Sequence, residues 1–222
     1  MYKAVFYKEW IKTRWVIIGL LSLIALLYVY MFLKFGRSIR FAGIDHIWDV
    51  IINKNQFLFR EIKYIPIIAG ITIALFQYIP EVIDKRLKLA IHLPVKEFKI
   101  INYKMYYGLA ILFCLFTLSI LILTINNTLY FASDIVCYYL LTTMPWYLAG
   151  FAIYGLVAWI CIEPTFKAKV LNIIILLGLI SFYFISDFPA SYQKSIPAMV
   201  VLTILCQLPI INSVLRFKSG KQ

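Results

Sequence analysis

Long apolar runs separated by short polar or basic breaks make up almost the whole chain. A helix rises about 1.5 Å per residue and needs about 20 mostly apolar residues to cross a bilayer core. Six runs come near that length: 15–33, 64–80, 107–125, 136–162, 170–186 and 196–214. They predict an all-α, polytopic membrane protein with six transmembrane helices in a single transmembrane domain, 1–222. The first run is longer than a secretory signal core. It is followed by Leu33-Lys34-Phe35-Gly36-Arg37, with no small-residue cleavage site, so it reads as a span.

The breaks carry their own patterns. In residues 1–14, Tyr2, Phe6 and Trp10 recur every four positions with Ile11 and Trp15 beside them, while Lys3, Lys8 and Lys12 fall elsewhere. That predicts a helix lying in the membrane interface before the first crossing. Residues 34–63 form the only sizeable loop on the opposite side, and Ile44, Ile47 or Trp48, and Ile51 give it one apolar face. Asp45, His46 and Asp49 share a turn there. Without a thiol or a second His they read as the polar face of an interfacial helix, not as a metal site. The later connections, 126–135, 163–169 and 187–195, leave no room for a soluble domain.

Composition agrees with the pattern: 63% of residues are hydrophobic, 14% are charged, and mean hydropathy is +0.88, against about half and a quarter in soluble domains. The net charge of +12 lies in short segments beside the spans. Placing both termini in the cytoplasm puts most Lys and Arg inside, as the positive-inside rule requires, and nucleic acid is not needed to explain them. Cys114, Cys137, Cys161 and Cys206 sit in or beside apolar runs without ligand spacing and read as small hydrophobes.

Signatures of catalysis are missing. With only His46 and His92 there is no HExxH pair, no Cys/His zinc pattern, and no glycine begins a phosphate loop. The chain is expected not to be an enzyme, with no catalytic residues, no metal site and no cofactor of its own. No ionisable residue lies well inside a predicted span, although ion-driven carriers ordinarily place one there. Gln77, Asn172, Gln207 and Asn212 bring the only amides inward, and nothing in the spans supplies power for transport.

The charged island at 81–106 is therefore the most informative stretch. Gln77 to Leu89 extends the second span past the headgroups, Leu93-Pro94 interrupts it, and Val95, Phe98, Ile101 and Met105 form an imperfect apolar stripe beside Lys96, Glu97, Lys99 and Lys104. Proline ends one helix and starts another well, so a short amphipathic helix is expected across the cytoplasmic end of the stalk.

These features resemble the membrane-spanning subunits of type-two ATP-binding-cassette (ABC) exporters. In that family the loop between spans two and three often reads Glu, a basic stretch with Leu, Leu-Pro, a basic or polar residue, Glu, and a Lys farther on. Glu81, Lys85-Arg86-Leu87, Leu93-Pro94, Lys96, Glu97 and Lys104 correspond. Lys85-Arg86 replaces a Gly-Thr pair common in the family, which leaves the branch and the cargo open. The topology match covers the whole chain and the motif about thirty residues.

The resemblance implies an N-terminal elbow helix at 1–14 and a coupling helix in the loop 81–106 that docks on a separate ATPase subunit holding ATP and Mg. Glu81, Arg86, Leu93, Pro94, Lys96, Glu97, Phe98, Ile101 and Lys104 would couple, with Phe98 and Ile101 filling a partner pocket. It further implies a second permease chain, identical or homologous, and a prokaryotic cytoplasmic (inner) membrane with both termini inside. Gln77, Thr142, Thr143 and Asn172 are candidate pathway residues, and equally candidate helix-packing contacts. Pro145 and Pro209 would bend spans four and six. The cargo is expected to be amphipathic, given the 38 aromatic residues. The alternative is a non-transporting membrane scaffold or sensory subunit that docks an ATPase.

Overall fold

A computed structural model describes residues 2–52, 59–83, 97–186, 188 and 190–218. These residues form helices and turns without strands: α1 (Tyr2–Ile52), a short 3-10 turn (Arg60–Lys63), α2 (Tyr64–Ile83), α3 (Glu97–Thr128), α4 (Ser133–Ile162), α5 (Phe166–Tyr183), α6 (Ile196–Leu205) and α7 (Pro209–Lys218). Among the described residues, six helical segments are long and apolar enough to cross a membrane, with α6 and α7 together making the sixth. The chain thus has the build of a multi-pass membrane protein.

α4 is the hub. In its most apolar window 72% of residues are buried, against 11% in α5, and it packs against α2, α3, α5, α6 and α7. The neighbours alternate in direction, so α1, α3 and α5 begin where α2, α4 and α7 end. That end, where the chain begins, is the near end of the bundle; the opposite one is the far end. α2 reaches α4 closely because both present glycine. A Cβ on Gly70 would lie 2.5 Å from the Gly150 carbonyl oxygen, and one on Gly150 would lie 2.6 Å from Phe116 and 2.8 Å from Pro66. Small residues allow this approach where lipid supplies no hydrophobic drive between helices.

Three elements differ from their sequence patterns. Residues 2–14 are not a separate interfacial helix but the first turns of α1, which is helical through residue 42 and breaks only at Gly43 (φ 80°, ψ 162°). That is roughly 60 Å of helix, about twice a bilayer core. The face of α1 turned to the bundle is Glu9, Thr13, Ile17, Leu20, Ile24, Tyr28, Met31 and Phe35, all buried, whereas Tyr7 and Trp10 are exposed. Trp10 of the aromatic stripe thus faces outward while Phe6 reaches α3, and a polar pair heads the inner face.

Likewise, from Glu97 onward the expected amphipathic helix continues directly into span three as α3; residues 84–96 lie outside the described residues. The sixth span is interrupted rather than bent. α6 ends at Leu205 and α7 starts at Pro209, a residue that cannot donate back into a preceding turn. Pro145, in contrast, sits inside an unbroken α4.

Candidate functional site

At the near end, the ends of α1, α2 and α3 meet on one carboxylate. Glu81, in the last turn of α2, is 1% exposed. Its Oε2 accepts a hydrogen bond from Lys104 Nζ of α3 at 2.6 Å. Its Oε1 accepts one from Lys12 of α1 at 2.9 Å and pairs with Lys8 of α1 at 2.9 Å. Lys12 also donates to the Gln77 carbonyl at 3.2 Å and pairs with Glu9 Oε2 at 2.8 Å. The lysine side chains grade outward: Lys104 is 4% exposed, Lys12 12% and Lys8 45%. Buried charges of this kind persist only when paired, because the desolvation of either alone costs several kcal/mol.

A neutral network carries the contact inward. Gln77 Nε2 donates to the Lys104 carbonyl at 2.7 Å, and Gln77 Oε1 accepts from the Tyr154 hydroxyl of α4 at 2.9 Å. With its own proton so committed, Tyr154 accepts from Tyr78 at 3.3 Å. Tyr154 occupies the notch left by Gly108 of α3, where any Cβ would collide with its ring and hydroxyl. On α1, Thr13 donates to the Glu9 carbonyl at 2.9 Å and accepts from the Tyr107 hydroxyl of α3 at 2.6 Å, and Phe6 lies edge-on to Tyr107 at 5.5 Å.

A second carboxylate closes the other side of the near end. Glu163, which ends α4, is 2% exposed. It accepts from Ser213 of α7 and pairs with Arg216 at 3.6 Å. The far end is built differently. Phe35, Phe59, Phe131 and Tyr139 pack ring against ring at 5.7–5.9 Å, and an ion pair there, Lys34 with Glu61 at 2.5 Å, is solvent-facing.

Of the coupling residues expected from sequence, the structure brings Glu81 and Lys104 together and turns both inward. Ile101 is 5% exposed and belongs to the main core cluster, so in this conformation it fills the bundle rather than a partner's pocket. Arg86, Leu93, Pro94 and Lys96 lie outside the described residues, as do the side chains of Glu97 and Phe98, which are helical in backbone.

The pathway candidates lie in different parts of the bundle's contacts. Gln77 belongs to the near-end network. Thr142 donates to the Tyr138 carbonyl and accepts from the Ala190 amide at 3.0 Å. Thr143 bonds back to the Leu140 carbonyl. Asn172 is buried at 3% exposure with its Nδ2 unpartnered. Three of the four therefore act as packing contacts here.

Glu9, Lys12 and Tyr154 are site residues that the apolar pattern passes over. A signal existed for the first of them, since Glu9, Thr13 and Ile17 recur at helical spacing. Among the described residues no group of three or more His, Cys, Asp or Glu is placed to hold a metal ion. The arrangement as a whole is a clamp: the end of α2 and the first turns of α3 are held to each other and to α1. In comparisons with protein-family models, curated proteins and solved structures, nothing matches this chain.

Proposed function

We propose that the chain is the permease subunit of an ABC transporter of the exporter type, driven by a separate ATPase subunit that holds ATP and Mg. The near end faces the cytoplasm, in the prokaryotic inner membrane, and a second permease chain completes the pathway. The observation that carries this reading is the clamp around Glu81. A loop that receives force from a partner must be tied to the spans at both ends. Glu81 and Lys104, the residues bracketing the coupling motif, are joined at 2.6 Å and bound to α1 and, through Gln77, to α4. Such a network turns displacement of the loop into displacement of three helices, because packed elements move as bodies rather than deform.

The test is co-purification of the tagged chain from its native membrane, followed by flux in vesicles. A bound subunit with a phosphate loop and nucleotide-dependent movement of an amphipathic cargo are expected. Charge reversal at Glu97, or a polar replacement of Phe98, should uncouple hydrolysis from flux while insertion is kept. An ATPase that binds without flux would favour a docking scaffold, and no ATPase would overturn the proposal.

A further inference from the structure

Three features of the near end divide its helices into a fixed pair and a loose one. α2 and α3 share the drier contacts: Lys104 and Glu81 are 4% and 1% exposed, and the Gln77 bond to the Lys104 backbone is also buried. α1 holds the same carboxylate through the lysines nearer to water, Lys12 and Lys8; its buried tie to α3, Thr13 with Tyr107 at 2.6 Å, is a neutral hydrogen bond that would open with them. Glu9 of α1 is 0% exposed, yet neither of its oxygens accepts a hydrogen bond among the described residues. Among the described residues, the ion pair to Lys12 at 2.8 Å and the more distant charge of Lys104 are what offset its burial. A buried carboxylate left short of donors is costly, and moving α1 outward would hydrate it. The closed contact of α1 thus carries an opposing term that the α2–α3 contact lacks.

Farther along, α1 is anchored. The Tyr28 hydroxyl donates to the Ser119 carbonyl at 2.8 Å and lies 2.8 Å from Ser119 Oγ, which in turn lies 2.8 Å from the Tyr147 hydroxyl, all buried. This ties α1, α3 and α4 near mid-bundle. From Thr13 to Tyr28 the helix spans about 22 Å, so a rotation of about 10° at Tyr28 carries the near end about 4 Å. That is enough to separate Lys12 from Glu81 while the anchor holds.

We propose that α1 is a hinged leaf of the bundle, pivoting at Tyr28 and latched by Lys8 and Lys12 on Glu81, while α2 and α3 move as one piece. Opening this leaf is how the near end would admit cargo, and in that respect the inference rests on the permease reading. Lys12 is a positioning residue, acting through Glu81.

The experiment measures distances by pulsed electron spin resonance on the full chain in lipid nanodiscs. With Cys114, Cys137, Cys161 and Cys206, all free thiols, changed to Ala in every variant, spin labels replace exposed side chains: Tyr7→Cys with Tyr106→Cys for α1 to α3, and Ile83→Cys with Tyr106→Cys for α2 to α3. The otherwise wild-type chain should show a minor population with the α1–α3 distance longer by several ångströms. Lys12→Met should make that population dominant, Lys12→Arg should restore the closed distance, and the α2–α3 distance should stay fixed throughout. Lys8→Met, at a half-exposed site, should shift the same distance to a smaller extent and serves if Lys12→Met does not accumulate. A single α1–α3 distance in every variant, or an α2–α3 distance that lengthens in step, would overturn the hinge. Neither measurement needs nucleotide or partner, so a missing ATPase would overturn the permease reading and leave these distances standing.

Discussion

Replacing Glu81 with Gln removes the charge that three lysines share and nearly preserves volume. Lys104, 4% exposed, and Lys12, 12% exposed, are then left without this counter-ion at 2.6 and 2.9 Å. Breaking a buried pair by deleting one member costs about 3–5 kcal/mol. The half-exposed Lys8 adds less than about 1 kcal/mol, since solvent screens it. Gln keeps one oxygen able to accept a hydrogen bond, which places the expected loss near the lower bound, about 3 kcal/mol, or more than about 100-fold in the folding equilibrium. Equilibrium unfolding in mixed micelles of rising SDS fraction reads this directly. A double-mutant cycle with Lys104→Met isolates the pair: once Lys104 is apolar, the further loss of Glu81 should cost at least about 1.5 kcal/mol less. A single-variant cost under about 1 kcal/mol, or costs that add within about 0.5 kcal/mol, would refute the view of Glu81 as a buried three-helix junction.

Other substitutions probe the remaining contacts by the same unfolding assay. Lys34→Met, at the solvent-facing pair with Glu61, should cost less than about 1 kcal/mol, and a loss as large as that of Glu81→Gln would show that exposure does not set the scale. Gly150→Ala should cost about 1–3 kcal/mol by overpacking against Phe116 and Pro66; Gly178→Ala, where a Cβ meets nothing within 4 Å, should cost almost nothing. Tyr154→Phe leaves Gln77 Oε1 without its donor and should cost about 1–3 kcal/mol, relieved in part by Gln77→Leu, which removes the orphaned acceptor.

The six crossings were legible because a bilayer imposes one length and one polarity on every span, and residues 15–33 or 107–125 meet both without help from neighbours. The hub role of α4 was not. Its hydropathy is close to that of α5, so hydropathy does not distinguish a helix surrounded by protein from one whose outer face is left bare; the Gly, Ala and Tyr of α4 against the Ile and Leu of α5 are the weaker trace of it. The near-end site was half legible. Glu81 and Lys104 stand out as charges bracketing a loop, but the sequence carries no sign that each is the other's partner across 23 positions. Glu9 and Lys12 were masked by the stronger aromatic rhythm of Tyr2, Phe6 and Trp10. Trp10 of that rhythm is turned away from the bundle, while the inward face begins with Glu9 and Thr13 before it becomes apolar. The burial of Ile101 within the bundle was not legible for a related reason: an apolar stripe on an amphipathic helix predicts that something covers it, not whether the cover is another chain or the same one.

The two ends of the bundle are held by different physics, and this decides where motion is cheap. Separating Lys12 from Glu81 exchanges protein contacts for hydration, and the two free energies largely cancel at a site already 12% exposed. Separating Phe35 from Phe59 and Phe131 offers no such exchange at an aqueous boundary. Each ring buries about 150–250 Å², and at about 25 cal/mol per Å² its exposure would cost several kcal/mol with nothing gained in return. A force applied through the near-end clamp therefore meets its least resistance at the ion-paired face of α1, while the aromatic layer keeps the far end shut. On the permease proposal, the bundle would open first at the near end, and expose the far end only when a second, larger input breaks the aromatic packing.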